Sequence, residues 1–213
     1  CVAARYLFAA STLSGFAQKV AASEPVSFDA AKRSDIATES EREFWTAEKA
    51  GLDTRTFIIL VQQEVHADVP LAKAWDATWA KIVMRHGALR TFYRQDAAGI
   101  LRRRLAPHSE AQLTHTVVGD RAAMSAMVRK WQSEPLLMDK SPLWRAGVIT
   151  ERDTGSTIFW LAMHHAVGDG RSVGILLHDM AVLLDGGTLP PLKTDLDESS
   201  AAYHTYLDGL TAK

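Results

Sequence analysis

The residues best suited to chemistry lie together in Met163-His164-His165-Ala166-Val167-Gly168-Asp169-Gly170-Arg171-Ser172. Histidine is the side chain whose unperturbed pKa lies near neutrality, so this pair offers a base at physiological pH. Adjacent residues at a strand end point in opposite directions, so one histidine should face a site and the other the protein body. Asp169 follows between Gly168 and Gly170, which permit close backbone approach and leave room for a substrate arm. One reading of these residue types is base catalysis of acyl transfer. They also allow a structural reading, in which two histidines end a strand and Asp169 caps the next helix. A metal site could be drawn from His164, His165, Asp169, His178 and Asp179, but adjacent histidines rarely converge on one ion and no cysteine accompanies them. Gly170-Arg171-Ser172-Val173-Gly174 matches G-x-S-x-G, with Asp197 and His204 downstream in hydrolase order. A nucleophile elbow turns directly after its strand, whereas residues 164–169 intervene here, and no HGGG-type oxyanion segment lies upstream.

Those residues need a frame. The apolar run Ile158 to Met163 predicts a buried strand leading in, and the periodic segment Val173 to Leu184 predicts a helix leading out. Earlier in the chain, Ser34 to Ala50 is predicted as a helix, with Thr38 and Glu41 in capping-box spacing, Phe44 and Trp45 on an apolar face and Gly51 as a stop. Phe57 to Val65 is predicted as a strand. Pro70 suits a first helical turn, followed by Leu71, Trp75, Trp79, Ile82 and Val83 on one face up to Gly87. Leu89 to Arg94 and Ile100 to Leu105 suggest a hairpin around Ala97-Ala98-Gly99, and Leu113 to Val118 a further strand. Asp120 is placed to cap a helix carrying Met124, Met127, Val128 and Trp131. Leu143 to Thr150 and Thr157 to Met163 suggest a strand pair, and Ser199 to Leu210 a terminal helix. Strands and helices mix without strict alternation, so the expected fold is α/β, a two-layer sandwich with a mixed β-sheet and flanking helices.

Composition limits the function classes. The chain has 213 residues, 47% hydrophobic and 23% charged, with a formal net charge of −1 and charges of both signs interspersed. Neither a nucleic-acid partner nor an anionic membrane is indicated. The one cysteine, Cys1, precludes an internal disulfide and fits a reducing, cytoplasmic setting. The uncharged stretch Tyr6 to Gln18 after Arg5 is too short to span a bilayer and only weakly resembles a signal peptide. Residues 1–33 read as an N-terminal segment or linker and 34–213 as one lobe. Cys1 in place of an initiator Met suggests an excised piece.

His164-His165-Ala166-Val167-Gly168-Asp169-Gly170 forms an HHxxxDG motif and resembles the condensation domains of non-ribosomal peptide synthetases. Their relatives are the acyltransferases of the chloramphenicol-acetyltransferase-like superfamily. Arg85-His86-Gly87-Ala88-Leu89-Arg90-Thr91 is similar to the family's RHxxLRT segment. Pro135-Leu136-Leu137-Met138-Asp139 with Pro142-Leu143-Trp144-Arg145 is similar to its PFDL…PLxR segment, with Met138 and Asp139 departing from the usual Asp-Leu. Thr38 to Trp45 loosely resembles the opening helix segment, and order and spacing agree from about residue 35 onward.

The resemblance implies one lobe of a two-lobed fold, the N-terminal one, with a tunnel completed by a missing C-terminal lobe. It implies attack by an amine or hydroxyl on an acyl thioester, with His165 as catalytic base. Gly170 would help seat the thioester or its oxyanion, His164 would join the catalytic set mainly through packing or orientation, and Asp169 would be structural. It implies no metal and no tightly bound cofactor: the acyl group would arrive on phosphopantetheine, on an acyl or peptidyl carrier protein, or as CoA. A CoA-dependent O-acyltransferase lobe and a non-catalytic docking lobe are the alternatives, and the isolated lobe would be inactive. Asp169 should also need a partner, because a carboxylate is costly to bury unpaired. Arg85, Arg90 and Arg145 lie in segments expected to approach it, with Arg90 the first choice and Arg145 the second.

Overall fold

The structure, a computed structural model, describes residues 35–65, 72–107, 112–193 and 196–211. The reading of residues 1–33, and the first-turn role of Pro70 and Leu71, fall outside them.

The chain is built around β6, Thr157–His164, which is buried at every position. It pairs antiparallel with β1, Ile58–Val65, on one side and with β5, Trp144–Glu151, on the other. β4, Thr114–Val118, adds parallel to β5 and completes the order β1-β6-β5-β4. The sheet is therefore mixed. Its two central strands are covered on both faces, which explains their nearly unbroken apolar sequence.

Helices supply the covers. α2, Ala72–Arg85, and α4, Gly170–Leu184, pack on one face through Trp75, Trp79, Ile82, Leu176 and Met180. There they meet Trp144, Phe159, Leu161 and Met163 of β5 and β6. The Trp79 and Trp144 rings meet edge to face at 4.9 Å, a preferred aromatic geometry, and Trp144 Nε1 donates to the Leu89 carbonyl at 2.7 Å. α3, Arg121–Ser133, covers the other face with Met124 and Val128, and Trp131 stacks on Trp160 at 4.0 Å. Asp120 accepts from Ala123 N–H at 2.7 Å and caps α3 as its position predicts.

α1, Glu39–Lys49, starts five residues later than Ser34 because the capping box fixes its origin. Glu41 N–H donates to Thr38 Oγ1 at 3.4 Å, and Thr38 N–H donates to Glu41 Oε2 at 2.6 Å. The residues before it run extended instead: Ile36 bridges to Arg102. Arg102 belongs to β3, Leu101–Leu105, which forms a two-stranded hairpin with β2, Thr91–Gln95. Asp96 accepts from Ala98 and Ile100 N–H at 2.9 Å each, and Gly99 takes φ 77°, which closes that turn. α5, Leu196–Thr211, ends the described chain.

No helix among the described residues is long and apolar enough to cross a membrane.

Candidate functional site

β6 ends at His164, a short 3-10 turn covers His165–Val167, and α4 begins at Gly170. The two histidines part company at the strand end. His164 is fully buried and His165 is exposed.

His164 Nδ1 accepts from Ala166 N–H at 3.0 Å, so the neutral ring carries its proton on Nε2. Nε2 is buried and has no hydrogen-bond partner among the described residues. The ring stands edge-on to Phe44 at 5.7 Å and tilted to Phe57 at 6.0 Å. Burial is the main reason that its pKa falls from 6.5 to about 4; Glu48 opposes the fall and His165 adds to it. The unfolded chain therefore takes a proton near pH 6.5 that the folded chain refuses until about pH 4. The contribution is fully present above about pH 6.5. Stability should drop by about 3 kcal/mol as pH falls to 4, and His164→Gln should remove that drop in urea-unfolding curves.

His165 lies with its ring stacked on Phe44 at 5.8 Å and 25°, so α1 supports it from below. Asp169 is the N-cap of α4. Its Oδ1 accepts from Ser172 N–H and from Ser172 Oγ, both at 2.8 Å. Those bonds hold its carboxyl below the usual range, with a smaller pull from the His165 imidazole.

The expected arginine partner for Asp169 is not there. Arg90 Nη1 donates to the Ala106 carbonyl at 2.9 Å and braces the hairpin. Arg145 donates to the carbonyls of Trp131, Glu134 and Pro135, at 3.2, 2.9 and 2.6 Å, and so closes the C-terminal end of α3. Arg85 is bound to Asp179. The pairing was expected on the premise that the carboxylate would be buried; Asp169 is exposed and needs no cation. Asp169→Ala should therefore cost about 1 kcal/mol, as for a lost N-cap, and not the 3–5 kcal/mol of a broken buried pair. Chemical denaturation distinguishes the two values.

The glycines differ. A Cβ on Gly168 would run into Met163 Cε and stand 3.2 Å from Ser172 Cβ, so a side chain there would have to displace the flexible end of Met163. A Cβ on Gly170 would meet nothing within 4 Å. Among the described residues nothing calls for glycine at that position.

The other residues read from the motif region are dispersed. Asp179 Oδ2 accepts from Arg85 Nε at 3.0 Å and lies 2.9 Å from His86 Nε2, while His178 is exposed. No group of three or more potential metal ligands converges among the described residues. Ser172 is bonded to Asp169, and His204 Nε2 lies 3.2 Å from the Ile36 carbonyl, so the two do not form a hydrolase pair. Sequence reading missed Asp179 as the anchor of α4. Its signal was an acidic residue between Leu176 and Met180 on the helix's apolar side. It also missed Tyr93, whose hydroxyl reaches the carbonyl of Ala166 at 3.0 Å.

The sequence profile of the condensation domain matches residues 33–211. Bacitracin synthase 2 of Bacillus licheniformis is 27% identical over 138 residues, which are 64% of this chain and 5% of that protein. Surfactin synthase subunit 1 of Bacillus subtilis (strain 168) is 31% identical over 113 residues, 53% of this chain and 3% of that protein. Among solved structures, the starter condensation domain of rhizomide synthetase RzmA superposes with a TM-score of 0.69 at 16% identity, over 81% of this chain and 45% of that one. The first condensation domain of the CDA synthetase superposes with a TM-score of 0.69 at 18% identity, over 81% and 46%. The chain thus spans less than half the length of these solved domains and a few per cent of the synthases.

Proposed function

Because the chain belongs to the condensation-domain family, we propose that it is the N-terminal lobe of a carrier-dependent acyltransferase that joins an amine to an acyl thioester. The observation that carries this reading is the placement of His165. It is the exposed member of the histidine pair, and it rests on a turn whose neighbour, His164, is locked in the core.

In the proposed reaction the amine nitrogen attacks the thioester carbonyl carbon, and the C–S bond breaks to release a thiol. His165 accepts the proton that the nitrogen loses and can return it to the departing sulfur. Holding both reactants beside one another supplies much of the rate. Gly170 leaves open space at the start of α4, where a thioester arm can lie and where backbone N–H groups can face its oxyanion. The acyl donor is a phosphopantetheine thioester on a carrier protein, and the acceptor amine arrives on another. A second lobe completes the tunnel, so catalysis requires a two-lobe protein. Phosphopantetheine is a substrate arm here, not a resident cofactor.

The experiment joins this lobe to a second lobe and follows thiol release from an acyl-pantetheine thioester with and without an amine acceptor. Amine-dependent release supports the reading, and amine-independent release at the same rate opposes it. Gly170→Val should lower that rate about tenfold or more by filling the open space. Its unfolding free energy should stay within about 1 kcal/mol of wild type, since no other described residue beyond its chain neighbours and its own helix backbone lies within 4 Å of the new Cβ.

A further inference from the structure

We propose that Tyr93, backed by Glu41, is a positioning residue for His165; the inference rests on the acyl-transfer reading above. Tyr93 sits in β2, outside the main sheet, and is fully buried. Its hydroxyl lies 2.7 Å from Glu41 Oε1 and 3.0 Å from the carbonyl oxygen of Ala166, the residue after His165. The Ala166 N–H donates to His164 Nδ1 at 3.0 Å. Ala166 is therefore held at both its N–H and its C=O by buried side chains, one from β6 and one from the hairpin. The turn that presents His165 has no freedom to rotate while both bonds persist.

Glu41 is itself fixed. Its Oε2 accepts from Thr38 N–H in the capping box and lies 3.4 Å from Arg103 Nη2, which also donates to Ser200 Oγ at 3.1 Å. Glu41 and Phe44 are three residues apart on α1, so one helix face serves both ends of the device. Phe44 lies under the His165 ring, and Glu41 holds the tyrosine that holds its turn. The hydroxyl is not needed to fill space, because phenylalanine has the same ring. Burial and the nearby Glu41 carboxylate push the phenol well above its ordinary pKa, so it keeps the one proton that its two acceptors share.

The test uses the two-lobe protein with an acyl-pantetheine thioester and an amine acceptor. Tyr93→Phe should lower kcat about tenfold while KM stays within about twofold, because binding is kept and alignment is lost. Glu41→Ala should give the same split, and Glu41→Gln, whose one amide oxygen can still accept from Tyr93 although the Thr38 N–H loses its acceptor, should restore kcat to within about threefold. A Tyr93→Phe protein too unstable to assay leaves the Glu41 pair to decide: equal kcat in Glu41→Ala and wild type overturns the proposal. Wild-type kcat in Tyr93→Phe, with His165→Ala inactive, overturns the positioning role alone. Undiminished turnover in His165→Ala overturns the acyl-transfer reading and the positioning role with it.

Discussion

Replacing His165 with alanine in the two-lobe protein should lower turnover by about two to four orders of magnitude, the usual contribution of a general base. The loss should leave folding nearly unchanged, because the side chain is exposed and its contact is a stack on Phe44. His164→Ala should behave in the opposite way. That residue is fully buried among Phe44, Phe57 and the Ala166 N–H, so its removal opens a cavity and frees a backbone donor. Its turnover should fall only as far as the turn loosens. The comparison is made by steady-state kinetics beside chemical denaturation of both variants. Equal kinetic losses with equal stability would mean that the two histidines share one role, which the burial of one and exposure of the other does not support.

The largest loss of stability from a polar side chain should come from Asp179. Its carboxylate, 9% exposed, receives Arg85 and His86 from the end of α2 on a single oxygen. It fastens α4, and with it the start of the helix at Gly170, to the rest of the lobe. Asp179→Ala leaves the Arg85 cation largely covered and without its bond to Asp179, a change that costs roughly 3–5 kcal/mol for a buried pair. Arg85→Ala should cost less, since its own side chain is 19% exposed and His86 still reaches the carboxylate. The double variant should be more stable than the sum of the two losses predicts, by about 1 kcal/mol or more. Strict additivity in urea-unfolding free energies would show that the two residues do not act together.

Most of the frame was legible because it follows from local rules. The unbroken apolar run of β6 needs two covers, the spacing of Thr38 and Glu41 sets a helix start, and Asp120 marks another. Apolar periodicity starts α4 at Val173, whereas the helix begins at Gly170. Periodicity detects only the apolar face, and Asp169 and Ser172 begin the helix with a polar cap that carries no apolar signal. The arginines meet other partners than Asp169 for a different reason. Which oxygen a guanidinium meets depends on how distant segments come together, and carbonyls at a helix end leave no mark in the side-chain sequence. Arg145 found three such carbonyls, and Arg90 found the Ala106 carbonyl just after β3. Tyr93 escaped for the same reason, since its target is the backbone of Ala166, 73 residues away in the chain.

Family membership rests on the sequence profile, and the amide-forming role proposed for this lobe rests on His165. The most direct measurement is product analysis by mass spectrometry after incubating the two-lobe protein with an acyl-pantetheine thioester and an amine. The account predicts amide and free thiol in equal amounts, with both lost in His165→Ala and both kept, though reduced, in His164→Ala. Free acid in place of amide, or undiminished amide from His165→Ala, would contradict it.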